Sequence, residues 1–511
     1  MINIIFILSF SINFYILFLE NVHIFQLNHY KLDVQNTWVS KNIKSLIINS
    51  LLFIFITFLI LFIKFGVLFG ALVYLVMLLW VIPKKAKKPL VYTGRVKRMI
   101  IISLILNILI IIVSLLCFKN LSLLPLISIS IPYYMFLIDK INKPINSLIN
   151  KKYINEAKKI LKGMPNLTII GVTGSYGKTS MKTFLGELLS VKYNTLITPK
   201  NYNTTLGVVI TIREYLKSTH EIFVCEMGAC YKGEIKEICD LVNPDHAVIT
   251  SIGPQHLETF KSIENVINTK YELVDSINDG KIFLNFDNEY IKKRKSDKKY
   301  ISYGIENKKV DYTAYDIKTN SKGLTFKMKD EKGKEITFTT SLIGKHNVLN
   351  LVGAISVAIN FGIPMKSLVR AVRNLKPVKH RLELIPGKGK NIIDDAYNSN
   401  PEGAKGAIDA LSEFEGLKIL ITPGMVELGE KEYELNYEFG KYAAGKCDYI
   451  LLVGKKQTKP IQEGIKKTSF DKEKLVVVEK IEEALEIADK IEPGKHRTIL
   501  LENDLPDQYK E

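Results

Sequence analysis

Residues 171–180 read GVTGSYGKTS, a spacing of glycine, lysine and hydroxyl side chains that suits a nucleoside triphosphate. Glycines let backbone N–H groups wrap a phosphate, a lysine supplies positive charge, and a hydroxyl can hold Mg²⁺. The strict pattern would place a glycine at Val172, one position later than here. The strand-like run before the loop and the helix-like run after it nevertheless favour phosphate binding. The predicted phosphate-binding residues are Gly174, Gly177, Lys178, Thr179 and Ser180.

Strand-like apolar runs alternate with amphipathic helical runs from about residue 154 onward. This alternation predicts an α/β fold with a parallel sheet. Residues 300–343 differ, because alternating Tyr, Phe, Thr and Ile with Lys-Gly and Lys-Asp turns predict an antiparallel insert. A second α/β unit starts near Arg381. We therefore predict a P-loop parallel-sheet ATPase domain at 151–377 and a Rossmann-like C-terminal domain at 378–511.

The first 140 or so residues are very apolar, unlike the charged remainder. They predict an N-terminal helical membrane domain, residues 1–150, with about five transmembrane helices. The apolar run 45–82 is too long for one span, and Lys64 and Gly66 divide it into two helices. Pro125 and Pro132 are expected to bend the last segment. The five predicted segments are 1–19, the two halves of 45–82, 99–118 and 121–138.

Basic residues predict the orientation of these segments. Lysines and arginines without any acid fill the loop between the third and fourth segments, and more lysines follow the fifth. The positive-inside rule therefore predicts a multi-pass protein of the cytoplasmic membrane, with its catalytic domains in the cytoplasm. The basic residues of the loop are Lys84, Lys85, Lys87, Lys88, Arg95, Lys97 and Arg98, and those after the fifth segment are Lys140, Lys143, Lys151 and Lys152.

The chain is basic, with 70 Lys and Arg against 52 Asp and Glu, a net charge of +18. Such a balance suits nucleic acid, anionic lipid or phosphorylated substrates. No basic stripe interleaved with aromatic residues is present, so we expect membrane lipids as partners and no nucleic acid. The 5 cysteines form no CxxC pair. We expect them to be buried, reduced thiols rather than zinc ligands.

Further motifs follow the P-loop in an order that resembles the Mur ligase family. The resemblance covers residues 165–430, and within the family the chain looks closest to the branch that adds D-alanyl-D-alanine. The matching stretches are NYNTTLG at 201–207, EMG at 226–228, SIGPQHLE at 251–258, TKYE at 269–272, GKHNVLN at 344–350, HRLE at 380–383, DDAYNSNP at 394–401 and GMVELG at 424–429.

This resemblance implies an ATP-dependent amide ligase of cell-wall precursor synthesis, in the peptidoglycan or a related pathway. In the family, ATP phosphorylates a carboxylate, an amine attacks the acyl phosphate, and the tetrahedral intermediate collapses to amide, ADP and phosphate. Because the transferred phosphoryl group carries much negative charge, cations must surround it. The implied cofactors are ATP and two Mg²⁺ ions.

The resemblance also implies a role for each residue near the phosphates. Lys178 matches the lysine that bridges the β- and γ-phosphates, and Thr179 and Glu226 match the ligands of the first Mg²⁺. His256 matches the residue beside the second ion. Lys270 matches the lysine that the family carbamylates, which would turn a cation into an anionic oxygen ligand for Mg²⁺.

Other matched residues surround the substrate and the nucleotide. Asn203 and Thr204 match the loop that faces the acyl phosphate. The C-terminal domain must close to complete the site, and Lys376–Lys379 is the expected hinge. The implied nucleotide-binding residues beyond the P-loop are His346, Asn347 and Asn350, beside the adenine, and Arg381 and Asp395, from the third domain.

The chain departs from the family pattern at both ends. Soluble Mur ligases begin with a UDP-binding domain, for which the apolar segments leave no room. In the last strand region the D-alanyl-D-alanine branch carries Lys-Gly-Ser, where this chain has the acidic LENDLPD at 501–507. We therefore interpret the chain as a membrane-anchored form. Its expected acceptor is a cell-wall peptide precursor, lipid-linked or part of a polymer, and its amine donor an amino acid or a dipeptide.

Three alternatives stay open at this stage. A poly-γ-glutamate synthase-like membrane ligase also pairs a membrane segment with a Mur-like core, although residues 381–511 argue against it. A non-catalytic membrane scaffold could use the P-loop only to sense ATP, but Glu226, His256 and Lys270 argue against that role, since a sensor needs no second metal. An archaeal pseudomurein ligase would share the same motifs.

Overall fold

The computed structural model describes residues 2–28, 30–80, 89–116, 120–294, 297–397 and 399–504. The chain divides into a helical unit that ends at Lys152 and an α/β unit that begins at Tyr153. This boundary lies close to the predicted one at residue 150. The lysines predicted to orient the protein at Lys84–Lys88 lie outside the described residues.

The helical unit is built from apolar helices around a phenylalanine-rich core. Phe6, Phe10, Phe14 and Phe18, from one face of α1, are buried in it. The predicted division at Lys64 is confirmed, since the third helix ends at Phe62 and the fourth begins at Gly66. The helices are α1 Ile2–Leu27, α2 Leu32–Lys41, α3 Ile43–Phe62, α4 Gly66–Trp80, α5 Gly94–Leu116, α6 Leu123–Ile129 and α7 Ile131–Lys162.

Two of the described helices, α1 and α5, are long and apolar enough to cross a membrane. Helices α6 and α7 meet at a bend of 81° beside Pro132 and would add a third span if taken together. The described residues thus contain two or three candidate spans by length and composition, and the total of about five stays a prediction. Of the two helices in the run 45–82, α3 has 20 residues and α4 has 15 within the described part of the chain.

A seven-stranded parallel sheet forms the centre of the α/β unit, as the sequence predicts. Its strand order is β2-β3-β1-β4-β5-β6-β7, so β1 lies between β3 and β4. The carboxyl ends of these three strands meet at one edge, the usual place for a ligand in such sheets. The strands are β1 Thr168–Thr173, β2 Thr195–Ile197, β3 Ile222–Glu226, β4 His246–Ile249, β5 Ile282–Asn285, β6 Ile301–Gly304 and β7 Tyr312–Thr313.

Helices cover the central sheet and bury its apolar side chains. Val172, Val224 and Phe283 of the sheet pack with Leu185 of the first helix and Leu351 of a later one in a single core. The helices are α8 Lys178–Leu189, α9 Thr205–Glu214, α10 Glu234–Val242, α11 Leu257–Phe260, α12 Ile263–Asp275, α13 Glu289–Lys293, α14 Lys345–Asn360 and α15 Met365–Arg373.

The predicted antiparallel insert exists but is shorter than 300–343. Strands β8 Tyr315–Asn320, β9 Gly323–Lys329 and β10 Glu335–Thr340 form a three-stranded antiparallel sheet. Residues 301–304 and 312–313 instead extend the parallel sheet as β6 and β7. Alternating aromatic and polar residues fit both kinds of sheet edge, which explains the wrong boundary.

The C-terminal part contains a six-stranded sheet in the order β11-β12-β16-β13-β14-β15. Its five predicted strands are present and parallel, whereas β11 is an antiparallel edge strand that was not predicted. The strands are β11 Glu383–Gly387, β12 Lys390–Asp395, β13 Leu417–Thr422, β14 Tyr449–Val453, β15 Leu475–Val478 and β16 Arg497–Glu502. The helices are α16 Pro401–Ser412, α17 Glu432–Ala444, α18 Lys459–Ile465 and α19 Ile481–Lys490.

Candidate active site

A glycine-rich turn joins β1 to α8 at the carboxyl edge of the central sheet. Gly174 has a φ angle of 155° and Gly177 one of 77°, which other residues adopt only with strain. A Cβ atom on Gly174 would also lie 2.1 Å from Thr250 Oγ1. Thr179 and Ser180 follow in the first turn of α8. A tight turn of backbone N–H groups at the start of a helix is an arrangement that binds phosphate.

Lys178 begins α8, and its amino group is held by the turn. Lys178 Nζ donates hydrogen bonds to the carbonyl oxygens of Gly174 at 2.7 Å and Ser175 at 3.1 Å. Burial lowers the pKa of Lys178 to about 8; Glu226 opposes this change and Arg381 adds to it. The electrostatic effect of Arg381 shows that the C-terminal domain brings a second cation close to this lysine.

Glu226 ends β3 beside the turn and is only 1% exposed. Its Oε1 atom accepts hydrogen bonds from Thr179 Oγ1 at 3.2 Å and Asn203 Nδ2 at 3.1 Å, and its Oε2 atom lies 2.9 Å from Lys182 Nζ. Burial by itself raises the pKa of Glu226, but Lys182 and the hydrogen bonds lower it by more. An ionised carboxylate beside a hydroxyl oxygen is a ligand set that suits Mg²⁺.

Lys182 is a residue of the site that sequence reasoning missed. Its side chain is 3% exposed, and Nζ also donates to the carbonyl oxygen of Lys200 at 2.8 Å. Lys182 lies one helical turn after Lys178, so the two amino groups share a face of α8. That i,i+4 spacing was the available signal, but lysines are too common in this chain for it to stand out. The buried ion pair fixes the position of Glu226.

His256 connects the central part of the α/β unit to the C-terminal part. Its Nδ1 atom lies 2.6 Å from Glu427 Oε2. Burial lowers the pKa of His256, but hydrogen bonds to Cys230 and Glu427 outweigh burial and raise the pKa to about 9. A protonated imidazole donates hydrogen bonds and cannot bind a cation. This arrangement therefore suits a phosphate oxygen, and a metal-binding role for His256 stays a prediction.

Two of these contacts differ from the sequence expectations. Glu427 lies in the quoted motif 424–429, but nothing in the sequence indicated its partner. Cys225 packs in the core as expected, whereas Cys230 lies near His256 and contributes to the raised pKa of that imidazole.

Lys270, on α12, is 1% exposed. Burial, assisted by the charge of Lys178, lowers the pKa of Lys270 to about 7. Among the described residues its amino group has no hydrogen bond or ion pair, and lies 5.8 Å from the Phe260 ring centre. Glu272 instead accepts hydrogen bonds from two amides at the start of α10, at 2.8 and 2.9 Å. Lys270 is thus a buried amine of which about half is neutral at pH 7.

The loop before α9 supplies one side chain to the site. Asn203 donates to Glu226, and its carbonyl oxygen accepts from the Gly228 amide at 2.7 Å. Thr204 instead caps α9, since its hydroxyl oxygen accepts from the Gly207 amide at 3.4 Å. The structure therefore brings Asn203 into the site and gives Thr204 a helix-capping contact.

The residues expected beside the adenine lie at the start of α14. Asn350 packs against the glycine-rich turn, where its Oδ1 atom would be 2.8 Å from a Cβ on Gly177. Asn347 donates to the carbonyl oxygen of Ile343 at 2.8 Å. His346 is exposed, and its ring faces Gly406 of the C-terminal domain. Their predicted contacts with the adenine stay predictions.

The C-terminal domain contributes an arginine and an aspartate near the turn. The Arg381 guanidinium lies 4.2 Å from the centre of the Tyr397 ring. Asp395 accepts a hydrogen bond from the Leu382 amide at 3.1 Å, and burial raises the pKa of Asp395 to about 6 against the effect of Arg381. Glu427 of the C-terminal domain also contacts His256 of the central part. The two parts are thus in contact around the turn.

Glu502 occupies the end of β16, in the segment that departs from the family pattern. It is 1% exposed and accepts hydrogen bonds from the hydroxyl of Ser399 and from Thr422 Oγ1, the latter at 2.5 Å. Burial raises the pKa of Glu502 to about 7, against the effect of the two hydroxyls. The acid that stands near the Lys-Gly-Ser position of the family is therefore internal and partly neutral near pH 7.

Replacing Glu502 by glutamine is expected to stabilise the protein at pH 8. The folded state holds the proton of Glu502 to higher pH than the unfolded state, so this group lowers stability as the pH rises from 4.5 to about 7. The shift corresponds to about 3 kcal/mol. Thermal unfolding should show a gain for Glu502→Gln that grows between pH 5 and pH 8. The exposed Glu486→Gln serves as control, and a gain that is independent of pH would contradict the expectation.

Comparisons with known proteins cover most of the α/β unit. The Mur ligase middle domain model matches residues 172–358, and the Mur ligase, glutamate ligase domain model matches residues 380–501. The chain is 34% identical over 291 residues to the UDP-N-acetylmuramoyl-tripeptide–D-alanyl-D-alanine ligase of Bacillus subtilis (strain 168), a match covering 56% of this chain and 63% of that protein. It thus spans about three fifths of the curated relatives' length.

Solved structures agree with these matches. MurF from Acinetobacter baumannii aligns with a TM-score of 0.63 and 25% identity, over 70% of this chain and 77% of that chain. MurF ligase from Thermotoga maritima, solved in complex with ADP, aligns with a TM-score of 0.61 and 25% identity, over 70% and 80% of the two chains. Helices α1 to α7 lie outside both family models.

Proposed function

Because the chain belongs to the Mur ligase family, we propose that it is an ATP-dependent amide ligase that activates a peptide carboxylate for attack by an amine. One observation carries this proposal. The P-loop lysine Lys178, the buried carboxylate of Glu226 and the buried amine of Lys270 lie near one sheet edge, and Arg381 approaches from the C-terminal domain. Phosphoryl transfer to a carboxylate requires such a concentration of charge.

Lys178 and Arg381 are the proposed cationic groups for the phosphates of ATP. Lys178 Nζ donates hydrogen bonds to two carbonyl oxygens of the turn, at 2.7 and 3.1 Å. These hydrogen bonds keep the amino group over the phosphate-binding turn, so little movement is needed to reach a phosphate oxygen. Arg381, stacked on Tyr397, would neutralise charge from the opposite side once the domains are closed.

Glu226 and Thr179 are the proposed holders of one Mg²⁺. The set fits, because Glu226 is ionised and its Oε1 atom lies 3.2 Å from the hydroxyl of Thr179. When bound, Mg²⁺ supplies charge neutralisation for the phosphates. Lys182 and Asn203 keep the carboxylate oriented toward the turn. The residues proposed for a second ion, His256 and Lys270, do not yet fit, because both are nitrogen bases and His256 is protonated.

We propose that Lys270 becomes a carbamate, which would provide the missing oxygen ligand. Carbon dioxide forms an N–C bond with a neutral amine, which releases one proton to solvent as the carbamate forms, and burial leaves about half of the Lys270 amine neutral at pH 7. No acid described by the structure forms an ion pair with Lys270, so the product's negative charge would replace no existing salt bridge. The neighbouring cation Lys178 would stabilise that charge.

The proposed substrates are a cell-wall peptide acceptor and an amino acid or dipeptide donor. Relatives named UDP-N-acetylmuramoyl-tripeptide–D-alanyl-D-alanine ligase support the general class. We propose a lipid-linked acceptor at the cytoplasmic face of the membrane, because α1 and α5 are long and apolar enough to span it. The buried acid Glu502 near the Lys-Gly-Ser position supports a donor pocket that differs from that of the relatives.

Acceptor-dependent release of ADP tests this function. The full chain, in detergent or nanodiscs, should release ADP only when both a peptide acceptor and an amine donor are present. UDP-linked and lipid-linked peptides are compared in parallel, each with single amino acids and with dipeptides. ADP release without any acceptor would support an ATP-sensing scaffold and overturn the ligase proposal. Ready use of the UDP-linked peptide, with no use of the lipid-linked one, would overturn only delivery from the membrane.

A further inference from the structure

Two arginines of α5 meet a row of polar residues on α7 inside the helical unit. Arg95 Nη2 lies 2.7 Å from Asp139 Oδ1. Arg98 donates to the side-chain oxygens of Asn142, at 3.4 Å, and Asn146. The three α7 residues are spaced so that they share one helical face, and all are buried. We call Arg95, Arg98, Asp139, Asn142 and Asn146 the arginine–asparagine cluster.

This cluster has more hydrogen-bond donors than acceptors. Arg95 Nε, Asn142 Nδ2 and Asn146 Nδ2 are buried and have no hydrogen-bond partner among the described residues. Asn142 is 0% and Asn146 9% exposed. Each unpartnered buried donor costs about 1–3 kcal/mol, so a missing acceptor is indicated. Two guanidinium groups against one carboxylate leave a net positive charge, which selects an anion with several oxygen atoms, such as a phosphate.

A separate apolar groove lies further along α5. It has a volume of about 250 Å³ and is lined by Leu106, Leu109, Ile110 and Val113 of α5 and by Leu123 and Ile127 of α6. At 3.6 residues per turn, Leu106, Leu109 and Val113 lie on the side of α5 that carries Arg95 and Arg98. Leu106 is about 16 Å along the helix axis from Arg95. The polar arginine–asparagine cluster and the apolar groove therefore lie one after the other along the same side of α5.

We propose that the helical unit binds a single-chain lipid phosphate, with its phosphate at the arginine–asparagine cluster and its hydrocarbon chain in the groove. The guanidinium of Arg95 is already positioned 4.0 Å over the ring of Tyr30. The cluster lies at the amino-terminal end of α5, the end that the positive-inside rule assigns to the cytoplasm. The lipid-binding site does not depend on the proposed function. Only the further step, that this lipid carries the peptide acceptor, rests on it.

Equilibrium binding of radiolabelled farnesyl phosphate to the full chain, in nanodiscs of phosphatidylcholine, tests the site. Arg98→Gln should weaken binding about tenfold or more, since it removes charge-assisted hydrogen bonds. Lys97→Gln is the matched control, because Lys97 is exposed on the same turn and loses the same charge. It should change binding less than twofold. Equal losses in the two variants would mean general charge attraction and would overturn the proposal.

Three further arms separate the sources of the ligand. Farnesol should compete poorly, and equal competition by farnesol would refute the phosphate site. Inorganic phosphate at the same concentration should not displace the probe, and if it did, the lipid assignment would fail. Arg98→Lys, which keeps the charge and loses the planar fork, should bind better than Arg98→Gln, which a mere folding defect would not produce. Lys178→Ala should bind farnesyl phosphate normally, so a failed ligase proposal would not be mistaken for a failed lipid site.

Discussion

Replacing Lys178 by alanine is expected to lower acceptor-dependent ADP release by about a thousandfold. Its amino group is the cation held directly over the phosphate-binding turn, by Gly174 and Ser175. The loss should fall mainly on turnover, because charge develops on the transferred phosphoryl group as it moves. Steady-state kinetics and separate measurement of ATP binding distinguish the two effects.

A matched control for this substitution is Lys322→Ala, in the exposed turn between β8 and β9. It removes the same charge far from the glycine-rich turn and should leave turnover within twofold of the unsubstituted chain. Turnover of Lys178→Ala within tenfold of normal would show that the turn does not hold the transferred phosphate.

Replacing Lys270 by methionine is expected to lower turnover by about a hundredfold or more, because the proposed carbamate can no longer form. Methionine keeps the apolar stem in its buried position, so packing changes little. Short carboxylic acids added to the variant should restore part of the activity by supplying the missing carboxylate. Lys270→Arg should not be active, since arginine cannot be carbamylated.

Two observations test the carbamate without relying on turnover alone. Isotope-labelled bicarbonate should give a carbamate signal in the NMR spectrum of the protein, and this signal should be absent from Lys270→Met. Only the neutral amine reacts with carbon dioxide. When carbon dioxide is removed and then added back, the carbamate should therefore return less readily below pH 7 than above it. A fully active Lys270→Met would exclude the carbamate from the mechanism.

The parts of the site that follow from local sequence were predictable. The glycines and Lys178 lie in one continuous stretch, and Glu226 ends the neighbouring strand, so the parallel sheet alone brings them together. The pairing of His256 with Glu427 could not be foreseen, since the two residues are 171 positions apart and belong to different layers of the fold. Lys182 was hidden by the abundance of lysine.

The limits of fold prediction have similar physical causes. Apolar composition indicates where segments lie, but a span also needs an unbroken helix of about 20 residues, a length that α4 does not reach among the described residues. The edge strands β6 and β7 are short, and their aromatic residues alternate as they would in an antiparallel hairpin. β6 pairs with β5 in the parallel sheet, and this pairing cannot be deduced from the residue pattern of β6 alone.

The hydrogen bond between His256 and Glu427 also affects which C-terminal halves can be exchanged between related proteins. Its two partners lie in the stretches matched by two different family models, on either side of the segment Lys376–Lys379. A chimera joined at that segment receives one partner from each parent. If the incoming half lacks a carboxylate at position 427, the imidazole loses its anionic partner, and this hydrogen bond between the two halves cannot form. Such a chimera keeps the contact only when the parent of the first half carries a histidine at position 256 and the parent of the second half a carboxylate at position 427.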